Sequence, residues 1–501
     1  MNPEAKKQVH RRLEHCLLAL IAAALAWQLF LPPVIGMADN GDFARIAQSF
    51  DLLHTSNTSD RFFRYFELKW RFDPSARWVS GFLSSESALV ALSLPLNRLL
   101  AKDNFFDLRC LGFVHIVILL FAAWLFIVYS RQLRPLARFV FLCLLFLIFT
   151  DAGYVVYFNS FYSEPSSFIF LFCMLALLLL TFQSPHIGTL LGCAFCCLFF
   201  VTAKPQNAAL GLLLAVIFLR LRNLRSDRRW RLTNVALSLG VVLVSAGYSV
   251  SNPTFSYKTT YYMAVFTELL KYSPTPSQDL NELGVSTNLA QYRGTTPFEP
   301  SVPRDSPEFR NFFDQMSFGK IGIFYLHHPG RLHESLNRTA ELALLARPIM
   351  LGNFEKSAGL PPYERSRAFS DWSYLKRKYG PKTITSFEFL CGIETIGMVI
   401  LYCRKRTLVE RLLLELLALL MAMAAVQILT VTVTMGSIDA IKQMFLFNVL
   451  FDISFAIALV WSVGRIESVA VPLTRRAWGV VDSLIVRKKP AQPEQNHPVQ
   501  T

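Results

Sequence analysis

Apolar residues fall into ten long runs along this chain, at about 13–35, 109–130, 134–150, 164–182, 187–203, 205–221, 232–252, 387–403, 409–435 and 440–464. Each is close to the length at which a helix crosses a bilayer's hydrocarbon layer, roughly 17–25 residues. The pattern therefore predicts an all-α polytopic membrane protein with about ten transmembrane helices. An eleventh apolar piece, Phe82 to Leu100, is of another kind. It carries Ser84, Ser85, Glu86, Ser87, Pro95, Asn97 and Arg98, and counting it as a span would put the basic turn Arg131 to Arg138 on the outer side. It reads as an amphipathic or juxtamembrane helix on the outer surface.

Basic residues give the runs a direction. Lys6, Lys7, Arg11 and Arg12 precede the first run, Arg131, Arg134 and Arg138 separate the second from the third, and Arg220 to Arg231 form the densest block. Short loops rich in Lys and Arg stay in the cytoplasm. Both termini are therefore expected inside, in a multi-pass protein of the cell inner (plasma) membrane. No small-residue cleavage site follows the first run, which reads as a retained signal-anchor. Two polar intervals then face outward, Gly36 to Asp107 and Asn252 to Ser386. The second is too long for an ordinary connection and too aromatic for a disordered linker, so it predicts a small folded unit. Four regions follow: a membrane module with its outer loops at 1–252, an extracytoplasmic loop domain at 253–386, C-terminal transmembrane helices at 387–464 and a cytoplasmic tail at 465–501.

Composition agrees with the pattern and removes other classes. With 53% hydrophobic residues and a mean hydropathy of +0.37, the chain falls among membrane proteins rather than soluble globules. A net charge of +15 would suit a nucleic-acid binder, but the basic residues flank apolar runs. They point to membrane lipids and to no nucleic-acid partner. All nine cysteines lie within or beside apolar runs, so the Cys193, Cys196 and Cys197 cluster reads as helix packing. His327 and His328 read as structural or surface residues, since no acid or thiol at metal-ligand spacing accompanies them.

Candidate chemistry collects on the outer side. The stretch from Met37 to Arg45 carries Asp39, Asp42 and Arg45 just after the first run. Asp151, Asn159 and Glu164 bracket the next outer loop, which also holds Tyr154, Tyr157, Phe158, Phe161 and Tyr162. Lys204 follows the fifth run, and Asp439 and Lys442 open the last. Charges at a membrane edge call for partners. Asp39 and Asp42 also suit a plain solvated turn around Asn40-Gly41, and Glu164 before Pro165 suits a helix N-terminus. Lys204 before Pro205 has the wrong sign for that position, which favours an anion contact. Asn448 and Asp452 lie one turn apart in the last run and read as structural partners of another helix.

In this organisation the chain resembles the GT-C superfamily of integral membrane glycosyltransferases, which use polyprenyl-phosphate sugars as donors. An acidic motif in a long first outer loop, a second acidic site in a short outer loop and a large later outer region carry the resemblance. It covers roughly Leu13 to Asn252. There is no Trp-Trp-Asp signature of the oligosaccharyltransferases. The resemblance implies that Asp39 or Asp42 is the catalytic carboxylate and that Asp151 or Glu164 is the second acid or a metal ligand. Asp42 is favoured, because Asn40-Gly41 can turn it back toward the membrane and Phe43 can anchor it; Asp39 is then free to hold Arg45 or the acceptor.

The expected reaction moves a sugar to a lipid-linked or cell-envelope glycan acceptor. It needs a carboxylate for the acceptor proton and a cation or divalent metal for the departing phosphate. Lys204, Lys442 and Arg45 are the expected phosphate contacts, and Asn159, Tyr157 and Tyr162 the acceptor or sugar contacts. A lipid-linked substrate flippase or transporter and a polysaccharide polymerase or ligase are the alternatives. The first predicts repeats or broken helices that the sequence does not display; the second predicts reliance on arginines and a histidine in the large loop.

Overall fold

The computed structural model describes residues 3–77, 81–101, 103–251, 254–404, 407–436 and 439–487. Most of these are helical. Helix α1 (Pro3–Phe30) enters the bundle, and a polar interval follows it. That interval folds into a three-stranded antiparallel sheet of β1 (Leu52–Leu53), β2 (Lys69–Phe72) and β3 (Phe105–Asp107), with Leu52 opposite Phe72 and Trp70 opposite Phe106. Between β2 and β3 lies α2 (Ser85–Leu100), the amphipathic piece. The Ser84 side chain caps it by accepting the Glu86 N–H at 3.1 Å.

Six helices then run back and forth: α3 (Leu108–Ser130), α4 (Pro135–Phe149), α5 (Glu164–Gln183), α6 (Ile187–Val201), α7 (Leu210–Leu221) and α8 (Arg228–Ser251). Asp107 caps α3 through the Arg109 N–H, and Pro135 sits in the first turn of α4, where a missing N–H costs nothing. Helix α5 packs against α3 and α6, and α7 against α8. After the large polar segment come α9 (Asp371–Tyr379), α10 (Ile384–Arg404), α11 (Leu408–Thr434) and α12 (Phe445–Arg487), with α12 against α11 and α4. Helix α10 leaves Phe389, Ile393, Ile396 and Val399 exposed, a surface that suits lipid rather than water.

Among the described residues, eight helices are long and apolar enough to cross a membrane, or nine if α4 and the bent piece Ala152–Phe158 form one span. The expected runs at 134–150 and 187–203 appear as 15-residue helices. The run expected at 440–464 is divided: Ala440–Gln443 is a separate turn and the long helix begins at Phe445. That helix continues without a break past Arg465, where a tail is expected, to Arg487; residues 488–501 of that tail lie outside the described residues.

Of the intervals expected to face outward, the short one differs from its expected form and the large one folds as expected. Every residue from Asp151 to Ile169 is buried, so the expected short loop is an internal segment. It is covered by the first polar interval and by the 346–373 part of the large segment. Ala152 N–H donates to the Phe369 carbonyl at 2.7 Å, and Asn159 Nδ2 donates to the Leu29 and Ile35 carbonyls. The large segment does fold. Residues from Tyr262 to Tyr325 share a core of Phe266, Phe309, Phe312 and Phe324, while Ala340, Ala343 and Leu344 pack with the membrane helices α10, α11 and α12.

Candidate active site

The first loop is built by Asp39. Its Oδ1 accepts the Gly41 N–H at 2.7 Å and the Phe43 N–H at 3.2 Å, and its Oδ2 takes Arg61 at 3.2 Å. Gly41 makes the tight turn at φ +103°, which a side chain would strain. Phe43 is buried in contact with Trp70, Phe161 and Tyr162, and pins the turn down. Backbone bonds from Gly36 N to Asn353 O and from Ala38 N to Gly352 O tie the approach to the large segment. Asp39 is thus consumed in shaping the loop. Burial pushes its carboxyl up despite Arg61 beside it. Its expected partner Arg45 goes to Asp42 instead, at 3.0 Å, because the helical turn starting at Ala44 places Arg45 three residues along the same face.

Asp42 opens onto a cavity of about 310 Å³ at the end of the bundle that carries the polar segments. Arg45, Glu164, Lys204, Lys442 and Gln443 line it too, with Phe82, Phe161, Tyr162 and Phe318 supplying apolar wall. The polar groups form one connected chain. Arg45 holds Asp42 Oδ1, and Lys442 holds Asp42 Oδ2 and, at 3.3 Å, Asp439. Asp439 accepts Gln443 Nε2 at 2.9 Å. Gln443 Oε1 accepts Lys204 Nζ at 2.8 Å, and Lys204 also reaches Glu164 at 2.7 Å. Burial alone would raise the Asp42 carboxyl, but Lys442 and Arg45 outweigh it and hold it well below the usual carboxylate range. Burial would likewise lower the Lys442 ammonium, and Asp42 and Asp439 together raise it. Lys442 also stands 5.0 Å from the centre of the Tyr162 ring.

Each of these groups has a local reason for its place. Pro205 forces Lys204 into an extended backbone, so its side chain leaves the end of α6 and crosses to Glu164 at the start of α5. The divided start of the last helix turns Asp439, Lys442 and Gln443 to one side. Of the expected site residues, Asp42, Arg45, Glu164, Tyr162, Lys204 and Lys442 therefore meet around one cavity. Asp39, Asp151, Tyr157 and Asn159 do not line it. Asp151 instead accepts the N–H groups of Gly153 and Ser373 and the Ser373 hydroxyl, which docks α9. Among the described residues, no group of three or more His, Cys, Asp or Glu side chains is arranged to hold a metal ion. His327 and His328 both face Glu282 on the surface, at 3.3 and 2.8 Å.

Residues 3–476 match the family model for the YfdI N-terminal transmembrane domain. The chain belongs to that family. No curated protein matches it in sequence. Among solved structures it is similar to the archaeal oligosaccharyltransferase AglB from Archaeoglobus fulgidus, in complex with an inhibitory peptide and a dolichol-phosphate. That likeness has 13% identity and a TM-score of 0.41, over 95% of this chain and 54% of that one. The chain thus spans about half the length of AglB.

Sequence reasoning missed the residues that support the cavity of this YfdI-family protein. Glu86, at the start of α2, accepts the Ser166 N–H in the first turn of α5 at 3.1 Å and faces His115 Nε2 at 2.9 Å. The other ring nitrogen of His115 lies 3.0 Å from the Phe158 carbonyl and so carries a hydrogen. Ser84 Oγ donates to the Ala203 carbonyl and Ser85 Oγ to that of Phe199, both at 2.7 Å. The Ser84-Ser85-Glu86 corner thereby fixes the two helix ends that carry Glu164 and Lys204. A capping triplet and a lone intramembrane histidine were the available signals; nothing in the sequence paired them. Gln206 and Gln443, which line the cavity beside the two lysines, were also missed, because neutral amides give no charge signal.

Proposed function

We propose that this YfdI-family chain is a GT-C type membrane glycosyltransferase. It moves a hexosyl or pentosyl group from a polyprenyl-phosphate donor to a lipid-linked or cell-envelope glycan acceptor at the outer face of the inner membrane. The observation that carries this is the meeting of Asp42, Arg45, Glu164, Lys204 and Lys442, from four separate stretches of chain, around one half-apolar cavity. The basic turns support the orientation. Helix α7 leads from Lys204 away to Arg220–Arg231, and α3 leads from Asp107 away to Arg131, so the cavity lies opposite the expected cytoplasmic side. Both termini are then cytoplasmic.

In this reading Lys204 and Lys442 hold the donor phosphate by charge-assisted hydrogen bonds. Tyr162, Phe161 and Phe82 give flat apolar faces to the sugar and the first isoprene units. The acceptor hydroxyl oxygen attacks the anomeric carbon, the bond from that carbon to the phosphate oxygen breaks, and the electron pair leaves with the polyprenyl phosphate. Asp42 takes the hydroxyl proton. A carboxylate held low by two cations is a weak base, and the phosphate corrects this by drawing Lys442 toward itself. Glu164 keeps Lys204 oriented until then. Transfer of radiolabelled sugar from polyprenyl-phosphate hexoses and pentoses by the purified protein in nanodiscs tests the proposal. Failure to transfer any hexose or pentose to lipid-linked glycan, by protein that is folded and binds the donor, overturns it.

A further inference from the structure

Among the described residues, the polar network of the cavity leaves one buried side-chain acceptor over. The amide of Gln443 has a fixed orientation: its Oε1 takes the Lys204 ammonium, which only donates, and its Nε2 serves the Asp439 carboxylate, which only accepts. Gln206 lies 3.0 Å from that same Oε1, so it must present its Nε2 there. Its own Oε1 is turned the other way by necessity. That oxygen is buried and accepts no hydrogen bond among the described residues, although Gln206 lines the cavity beside Lys204, Glu164 and Lys442. A buried amide oxygen without a donor is costly, and native sites keep such groups for a reason.

The chemistry of a phosphoprenyl sugar leaves few donors for it. Neither the ionised phosphate nor the isoprenoid tail has a hydrogen to give. The carboxylates of the cavity are already taken by cations and Gln443 Oε1 by Lys204 and Gln206, which leaves Gln206 Oε1 as the neutral acceptor of this network with no protein donor among the described residues. We propose that Gln206 accepts a hydrogen bond from one hydroxyl of the donor sugar and is a specificity-determining residue. The inference rests on the glycosyltransferase reading and names the part of the donor that this wall of the cavity reads. A site that offers a buried acceptor to a hydroxyl rejects an analogue lacking it, because the acceptor is then stranded.

The test uses the full-length protein in nanodiscs. Binding of polyprenyl-phosphate hexoses (glucose, galactose and mannose) and pentoses identifies the preferred sugar, and its monodeoxy analogues are then compared in wild type, Gln206→Met and Gln206→Leu. One deoxy analogue binds wild type about tenfold more weakly than the parent, the size of one hydrogen bond. In either variant that penalty disappears, while the deoxy analogues that wild type tolerates bind as before, which shows the cavity intact. If every deoxy penalty survives in both variants, the inference is overturned and the function stands. If no glycosylated lipid binds wild type, the function itself fails and the inference falls with it.

Discussion

Lys442 and Lys376 each bring a buried ammonium to carboxylates, Asp42 and Asp439 for the first and Asp452 for the second, and what surrounds them differs. Lys376, from α9, donates to Asp452 at 2.9 Å, Asn448 at 2.8 Å and Tyr154 at 3.1 Å, while Trp372, at 2.7 Å, and the Tyr154 hydroxyl also donate to Asp452. All three ammonium hydrogens are used, and the two charged side chains are 3% and 0% exposed. Lys442 is as deeply set, at 2%, but its partners Asp42 and Asp439 keep 28% and 26% of their side-chain surface. One network is sealed and fastens the large segment to the membrane helices. The other is open on one side, and its bonds can be exchanged for those of a bound anion. The same ion-pair chemistry thus serves attachment in one place and, in our reading, reaction in the other.

The strongest way to break this comparison is at Asp42. Asp42→Asn keeps shape and hydrogen bonding but removes the base, and transfer is expected to fall by about 100- to 10,000-fold, while the folded protein loses the smaller stabilisation of the Lys442 and Arg45 pairs. Normal product from well-folded Asp42→Asn protein sinks the open network as the reacting centre. In the sealed network the effect belongs to stability. Asp452→Asn strands the Lys376 ammonium, a loss of about 3–5 kcal/mol, and Lys376→Met with Asp452→Leu regains much of it. Thermal unfolding in detergent checks this; an Asp452→Asn protein that is as stable as wild type yet inactive would move Asp452 to the chemistry.

A pH profile sharpens the role of Lys442. The folded Asp42 carboxyl is depressed, so the pair's stabilisation is fully present above the unfolded value of about 3.9 and is lost only as pH falls through the lower folded value. The acid limb of kcat/KM, which reports the free enzyme, is expected below the usual carboxylate range. The limb of kcat, which reports the donor complex, is expected at higher pH, because the phosphate draws Lys442 away. Lys442→Ala brings the kcat/KM limb up toward the ordinary range; coincident limbs in wild type contradict the exchange. The smallest expected change is at Lys204. Lys204→Ala raises the donor KM by about tenfold, one charge-assisted contact, and Lys204→Arg by less. An unaltered donor KM in Lys204→Ala removes it from the phosphate site.

Much of the architecture was legible because a bilayer leaves the backbone one main solution for each long apolar run. Hydropathy located the helices α3 to α8, α10 and α11 to within about five residues, though not the bounds of the first helix or the division and far end of the last, and the basic turns gave an expected orientation. The acidic first loop was legible too, since Asn40-Gly41 and Phe43 carry turn and anchor signals of their own. Run length, turn residues and charge asymmetry act locally, and local information is what a single sequence holds.

Only the tertiary structure decided which acid does what. Asp39 and Asp42 are three residues apart and chemically alike; Arg61, 22 positions from Asp39, and Lys442, 400 positions from Asp42, separate them into a loop-former and a cavity carboxylate. Asp151 and Glu164 divide in the same way, one taken by Ser373 and the other by Lys204. A carboxylate's basicity and role depend on the charges and donors within a few ångströms. Those partners arrive from distant segments through packing, so no reading along the chain contains them.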